Sequence, residues 1–285
     1  MSRTFYVNGE FVAEADAKIS VLDRGFLFAD AVYEVSTVLQ GKLIDNTAHL
    51  KRLARSLSEL SMAPPCSDED ILAAQLKLLE LNQLNEGLLY LQVSRGVADR
   101  DFAYPANPKS SLVMFTQEKN LIDSPMAKQG LHIISVPDQR WKRRDIKTVG
   151  LLAPSMGKQA ALDAGVHDAW MVEGGLVTEG TSNNAYIVTE DRKIQTRNLG
   201  HEILSGITRA AVLKFAVQAG YTVVEEPFTI DAARTASEAF ITSASTFVMP
   251  VVNIDGIALG DGTPGPVSKE LRKIYIQTAL ERQDL

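Results

Sequence analysis

Lys147 and Glu179 are the two residues whose types and settings could do chemistry together. Lys147 lies in RRDIKTVGLLAPSMGKQAALDAG, Arg143–Gly165, at the end of a short extended run and just before an apolar stretch that reads as a helix closed by Gly165. A lysine there can point into a cleft. Glu179 lies in VTEGTSNN, Val177–Asn184, in a Thr-Glu-Gly-Thr-Ser turn between the strand-like runs Trp170–Val172 and Ala185–Val188, where backbone would fix its carboxylate. The pairing suggests Schiff-base chemistry. An amine condenses with an aldehyde only when unprotonated, so a site that desolvates a lysine or sets another cation beside it lowers its pKa and makes it useful. Taken singly, neither residue is specific, since most lysines are solvated charges and most Glu-Gly pairs are turns.

The elements that would position them follow from local patterns. Asn8-Gly9 between TFYV and EFV predicts a hairpin over Thr4–Val12. Val32, Val35 and Val38, with Tyr33 and Thr37 between them, predict a strand turned at Gln40-Gly41. From Asn46 the period becomes helical, with Leu50, Leu53, Leu57 and Leu60 on one face and Asn46 or Thr47 as the cap. Arg52 on this helix reads as a solvated basic residue beside Lys51 and Arg55. A second helix follows Pro64-Pro65, capped by Ser67. Leu88–Gly96 and Leu112–Thr116 read as strands joined by the loop VADRDFAYPANP, and the polar, non-periodic stretch Gln117–Lys128 is the linker candidate.

Beyond it come the strand LHIISVP and the cluster Arg140, Lys142, Arg143 and Arg144, read as a solvated edge that would also help lower the Lys147 pKa. Ile207–Ala219 reads as a helix whose N-terminus at Ser205-Gly206 offers free amides and a positive dipole end to an anion. EAFI leads into a small-residue turn, Ile241–Thr246, and a hairpin over Asp255-Gly256 precedes a closing helix after Pro266.

Bulk properties exclude several classes. The 285 residues are 45% hydrophobic and 22% charged, so a packed core is assured. A net charge of -6 gives no footprint for nucleic acid, and no apolar run approaches membrane-spanning length. The single cysteine, Cys66, forms no internal disulfide, and no Cys/His spacing suggests a metal site. With no apolar signal core in MSRTFYVNGEF, a reducing cytoplasm is expected.

The spelling around the two residues is far more specific than either alone. DIKTVGLL, a helix containing GKQAA, then VTEGTSNN and ILSGITR, in that order over nearly the whole chain, resemble the fold-type IV pyridoxal-phosphate enzymes: D-amino acid transaminases, branched-chain transaminases and aminodeoxychorismate lyases. The resemblance names the cofactor, pyridoxal 5′-phosphate. It implies an α/β fold of the α+β type in two domains, a small one over 1–118 and a large cofactor-binding one over 129–285, joined by 119–128, with the cofactor in the interdomain cleft.

It also implies roles. Lys147 would carry the cofactor and then a proton, and Glu179 would hold the pyridine nitrogen protonated so that the ring is an electron sink. Arg52, in an HLxRL setting, would reach the phosphate with Gly206, Ile207, Thr208 and the turn Ser243, Ala244, Ser245; Ser182 and Leu204 would complete the cofactor contacts. Ala244 stands where a threonine is common. The VYEV spelling is that of the D-amino acid transaminases and puts Tyr33 in the active site, while Arg100 and Phe102 occupy a loop that in those enzymes reads Arg-any-His, enters the partner subunit's site and grips the substrate carboxylate. The arginine is kept and the histidine is replaced.

The expected activity is therefore exchange of an amino group between a D-amino acid of the D-alanine or D-glutamate type and a 2-oxo acid, by a homodimer without nucleic-acid or membrane partners. An (R)-selective amine transaminase, a branched-chain L-amino acid transaminase, a lyase and a non-catalytic binding homologue are the alternatives.

Overall fold

The computed structural model describes residues 3–281. They form two compact units, one built from the chain up to Asn120 together with Ile146–Gly150, the other from Leu121–Asp145 and the chain from Leu151 onward.

The first unit is an antiparallel sheet of six strands: β1 (Thr4–Val7), β2 (Glu10–Ala13), β3 (Ala31–Leu39), β4 (Lys42–Ile44), β5 (Glu86–Ser94) and β6 (Ser111–Glu118), in the order β2-β1-β6-β5-β3-β4. Asn8 and Gly9 both take positive φ, as the primed turn between β1 and β2 requires. Helices α2 (Asn46–Glu59) and α3 (Asp68–Asn82) cover one face; a single turn, α1 (Arg24–Phe28), which the apolar pattern did not signal, precedes β3. Alternation along β3 sends Val32 and Val38 into the core with Leu50, Leu53 and Leu57 of α2 and Ile71 and Leu78 of α3. Each such side chain contributes roughly 1.5–3 kcal/mol. Ser67 caps α3 by accepting from the Asp70 amide at 3.1 Å. The α2 cap differs from expectation: Asp45 occupies that position at φ 57°, and Asn46 is a buried first-turn residue that accepts from Ser36 and donates to Gln75. Buried amide partners outcompete capping here.

The opposite face of the sheet carries a half-buried aromatic row, Tyr33, Tyr90, Phe115 and Phe5, with successive ring centres 5.5, 4.7 and 5.4 Å apart. Ile146–Gly150 joins this unit, where a single division near 119–128 would have excluded it. The Tyr33 amide donates to the Lys147 carbonyl at 3.0 Å and the Val149 amide to the Ala31 carbonyl at 3.1 Å, along the stretch of β3 that β4, paired only with Thr37–Leu39, leaves open.

The second unit holds β7 (Leu131–Pro137), β8 (Asp168–Glu173), β9 (Leu176–Gly180), β10 (Asn184–Val188), β11 (Lys193–Thr196), β12 (Thr222–Glu225), β13 (Glu238–Ser243), β14 (Phe247–Ile254) and β15 (Ile257–Ala258). Their order is β12-β11-β10-β13-β14-β7-β8-β9, with β15 against β14. Parallel pairs need crossovers, supplied by α5 (Leu152–Asp163) between β7 and β8 and by α6 (Ile207–Gln218) between β11 and β12. Trp170, Ile187, Phe228, Ile241 and Val251 centre the core. α4 (Pro125–Gln129), α7 (Ile230–Arg234) and α8 (Pro266–Glu281) complete the unit.

The polar stretch expected as a tether folds into this unit instead. Leu121 is buried, and Arg272 of α8 donates to the carbonyls of Leu121 and Ile122 at 2.6 and 3.2 Å. Among the described residues no helix is long and apolar enough to cross a membrane.

Candidate active site

In the first unit Lys147 is fixed by backbone pairing to β3, and its half-buried side chain returns over that strand, with Nζ 4.1 Å from the centre of the Tyr33 ring. Among the described residues this amine has no carboxylate partner. The lysine thus serves no ion pair of the fold and meets a ring face instead.

Arg52 is not the solvated residue its neighbours suggested. Its Nε and Nη2 donate to the two oxygens of Glu34 at 2.8 and 2.7 Å, and His49 Nδ1 lies 2.7 Å from Glu34 Oε2. All three side chains are buried or nearly so. Burial pushes the Glu34 carboxyl upward, yet Arg52 and His49 overcome it and hold the pKa at about 2. Glu34 and Tyr33 are neighbours on β3 and so point to opposite faces, one toward α2 and the other toward Lys147.

In the second unit Glu179 lies within β9, not in a turn; the turn is Thr181–Asn183, closed by the Gly180 amide donating to Asn183 O at 2.8 Å. Asp168 secures it by accepting from Thr181 Oγ1 at 2.6 Å and Asn183 Nδ2 at 2.9 Å, leaving Ser182 exposed at the apex. Glu179 is buried and accepts from Arg140, from Asn184 Nδ2 at 3.0 Å and from the Leu204 amide at 3.2 Å. Burial raises its pKa, and Arg140 and the Leu204 amide oppose that rise.

The cationic cluster is therefore no solvated edge as a whole. Arg140 bridges Glu179 and Asp138, donating to the latter through Nη2 at 2.7 Å and Nε at 3.0 Å, and Arg144, 1% exposed, pairs with Glu173 at 2.8 Å. The buried acids Glu179 and Asp138 recruit Arg140, and the partly exposed Glu173 recruits Arg144. Only Lys142, 83% exposed, fits the original reading, while Arg143 pairs with Asp145 at 3.0 Å.

Asn184 links Glu179 to the start of α6, because its Nδ2 also donates to Leu204 O at 3.0 Å. Gly206 is the N-cap of α6, and no side chain caps the helix, so the Ile207 and Thr208 amides begin it without a side-chain acceptor. A Cβ on Gly206 would overlap Asn184 Oδ1. Only glycine fits. The second small-residue turn joins β13 to β14, with Ser243 Oγ 3.2 Å from Ser245 Oγ and 2.7 Å from Thr246 Oγ1. Ala244 contributes no hydroxyl, and Thr246, which sequence reasoning passed over, supplies one.

Arg100 and Phe102 lie on the exposed loop between β5 and β6. The Arg100 guanidinium stands 5.4 Å from the Phe28 ring centre and 5.6 Å from that of Phe102, which is 79% exposed. Glu34, Asp138 and Asn184 were the unassigned participants; a charged residue in the inward phase of a strand, as at Glu34, was the one available signal.

These two units and their polar sites define a transaminase fold. A family model described as amino-transferase class IV matches residues 31–254. The D-alanine aminotransferase of Staphylococcus aureus (strain MSSA476) is 36% identical over 94% of this chain and 95% of its own, and that of Bacillus licheniformis is 36% identical over 98% and 96%. Among solved structures, the Escherichia coli branched-chain amino acid aminotransferase superposes with a TM-score of 0.92 at 21% identity, covering 98% of this chain and 95% of that one. The T.th. branched-chain amino acid aminotransferase, solved with pyridoxamine 5′-phosphate, gives 0.91 at 24%, covering 99% and 95%.

The chain belongs to the class IV aminotransferases, which are pyridoxal 5′-phosphate enzymes.

Proposed function

We propose that this aminotransferase moves the amino group of a D-amino acid, of the D-alanine or D-glutamate type, to a 2-oxo acid. The observation that carries the reading is the Lys147 amine, held against Tyr33 with no carboxylate partner among the described residues. The 36% identity to D-alanine aminotransferases along nearly the whole chain supports the choice of substrate class.

The residues present fit the cofactor. The uncapped start of α6 with its glycine cradle, together with the hydroxyl cluster of Ser243, Ser245 and Thr246, suits a phosphate, and the exposed Ser182 would add to it. Bound pyridoxal phosphate supplies a carbonyl for amines and an electron sink for the charge that builds at the substrate Cα. Lys147 Nζ would take the proton from that carbon and deliver it to the cofactor's C4′ carbon. Glu179, paired with Arg140 and oriented by Asn184 and the Leu204 amide, would hold the proton on the ring nitrogen. Tyr33, together with the Arg100 that a second copy supplies, would orient the substrate, which makes the active species a homodimer; light scattering that finds an active monomer would remove that part. An amine-transaminase reading is favoured by one observation, the apolar exposed Phe102.

The test is the absorption spectrum of the holoenzyme on adding D-alanine, L-alanine, L-leucine and (R)-1-phenylethylamine in turn, without an acceptor. Conversion of the cofactor band to that of the aminated form by D-alanine alone is expected. Conversion chiefly by the amine establishes the second reading, and conversion by L-leucine refutes both.

A further inference from the structure

Alternating arginines and aromatic rings run through the first unit from its interior to the Arg100 loop. The guanidinium carbon of Arg95, 1% exposed, lies 3.6 Å from the Tyr104 ring centre. Arg24 stands 5.8 Å from the same ring and 4.6 Å from Phe28. Arg100 then takes the positions already given between Phe28 and Phe102, whose ring centres are 5.6 Å apart.

The inner end is anchored. Asp30 accepts from Arg24 Nε at 2.8 Å and from Arg95 Nε and Nη2 at 2.7 and 3.1 Å. Arg95 also donates to the carbonyls of Leu60 and Ser61 at 2.8 and 3.1 Å. Arg24 Nη1 donates to the carbonyls of Asp101 and Ala103 at 2.6 and 3.3 Å, which flank Phe102 on both sides. Two buried guanidiniums share one carboxylate, so the second charge is met by carbonyl oxygens and ring faces, of which the Asp101 and Ala103 carbonyls and the Tyr104 ring lie on the loop.

The loop's other ties are near its ends, where the Ala98 amide donates to Leu22 O at 3.3 Å and Ser110 Oγ to Ala63 O at 2.9 Å. Val97–Ser110 contains one isolated bridge, Asp23 with Val97, and neither helix nor strand. At its tip the Arg100 guanidinium carbon stands over two rings, and among the described residues no carboxylate pairs with it. Ring contacts occupy no oxygen acceptor, so the N–H donors of such a guanidinium stay available to a carboxylate.

We propose that this row is the device that fixes the loop for carboxylate recognition, with Phe28 and Tyr104 as positioning residues for Arg100 and with Phe102 closing the stack from outside. The proposal rests on the reading of Arg100 as the residue that binds the substrate carboxylate. It explains why an aromatic ring can stand at position 102: the ring supports the arginine instead of sharing its ligand.

The experiment measures KM and kcat for D-alanine, and the inhibition constant of propionate against whichever amino donor is turned over, in full-length holoenzyme carrying Arg100→Gln, Phe28→Leu, Tyr104→Leu or Tyr104→Phe. Tyr104 is 57% exposed, so its ring can be removed without opening the core. Phe28→Leu and Tyr104→Leu should each raise the D-alanine KM and the propionate inhibition constant about threefold or more, with kcat changed by less than about twofold. Tyr104→Phe, which keeps the ring, should match the parent. Leucine variants that leave both constants unchanged while Arg100→Gln raises them overturn the proposal. An Arg100→Gln enzyme with unchanged constants overturns the underlying reading of Arg100 instead.

Discussion

The Arg52 guanidinium meets the Glu34 carboxylate edge to edge, with Nε on Oε1 at 2.8 Å and Nη2 on Oε2 at 2.7 Å. His49 closes the same carboxylate from the next turn of α2, at 2.7 Å. A strand residue thus dictates where a helix arginine can point. The fork geometry is one that lysine could not reproduce.

This pair makes stability depend on acid. The folded Glu34 pKa of about 2 lies below its ordinary 4.5, so its contribution is complete above about pH 4.5 and is lost as pH falls through the folded value. Glu34→Gln should cost about 3 kcal/mol at pH 6, because Arg52 stays buried without its anion. Urea unfolding at pH 6, 4 and 3 checks both points: the gap between parent and variant should narrow as pH falls.

Arg140→Leu should also destabilise, by about 3 kcal/mol, since it strips a buried cation from both Glu179 and Asp138. Adding Glu179→Gln to that variant should recover part of the loss, because one unpaired buried charge disappears. Urea midpoints of the single and double variants decide it; equal midpoints for the two would count against the bridge.

Gly206→Ala places a methyl group against Asn184 Oδ1 at the start of α6. The expected outcome is a loss of at least about tenfold in pyridoxal phosphate affinity, by equilibrium dialysis of the apoprotein, about 1.4 kcal/mol on the affinity scale. An unchanged dissociation constant would remove α6 from the phosphate site.

Lys147→Ala should lower turnover of every amino donor by at least about a thousandfold. Its thermal midpoint should stay close to the parent's, because the amine makes no ion pair among the described residues. Stopped-flow spectra of the half-reaction give the first quantity and a thermal melt the second.

Local chemistry settled much of this protein before any tertiary contact was considered. Asn8-Gly9 and Asp255-Gly256 dictate their hairpins because few residues accept positive φ, Ser67 caps α3 because its hydroxyl reaches the Asp70 amide, and Gly206 marks the start of α6. The motifs around Lys147 and Glu179 carried the family, and with it the cofactor. What only the tertiary structure decided concerns charges. Arg52, Arg140 and Arg144 read as solvated because neighbours in sequence are polar, yet their partners Glu34, Glu179 and Glu173 come from strands 18, 39 and 29 positions away. The return of Ile146–Gly150 to the edge of β3, and the row from Arg95 to Phe102, depend likewise on long-range pairing. Backbone propensity is local and legible in a short window, whereas the partner of a buried charge is chosen by packing across the fold.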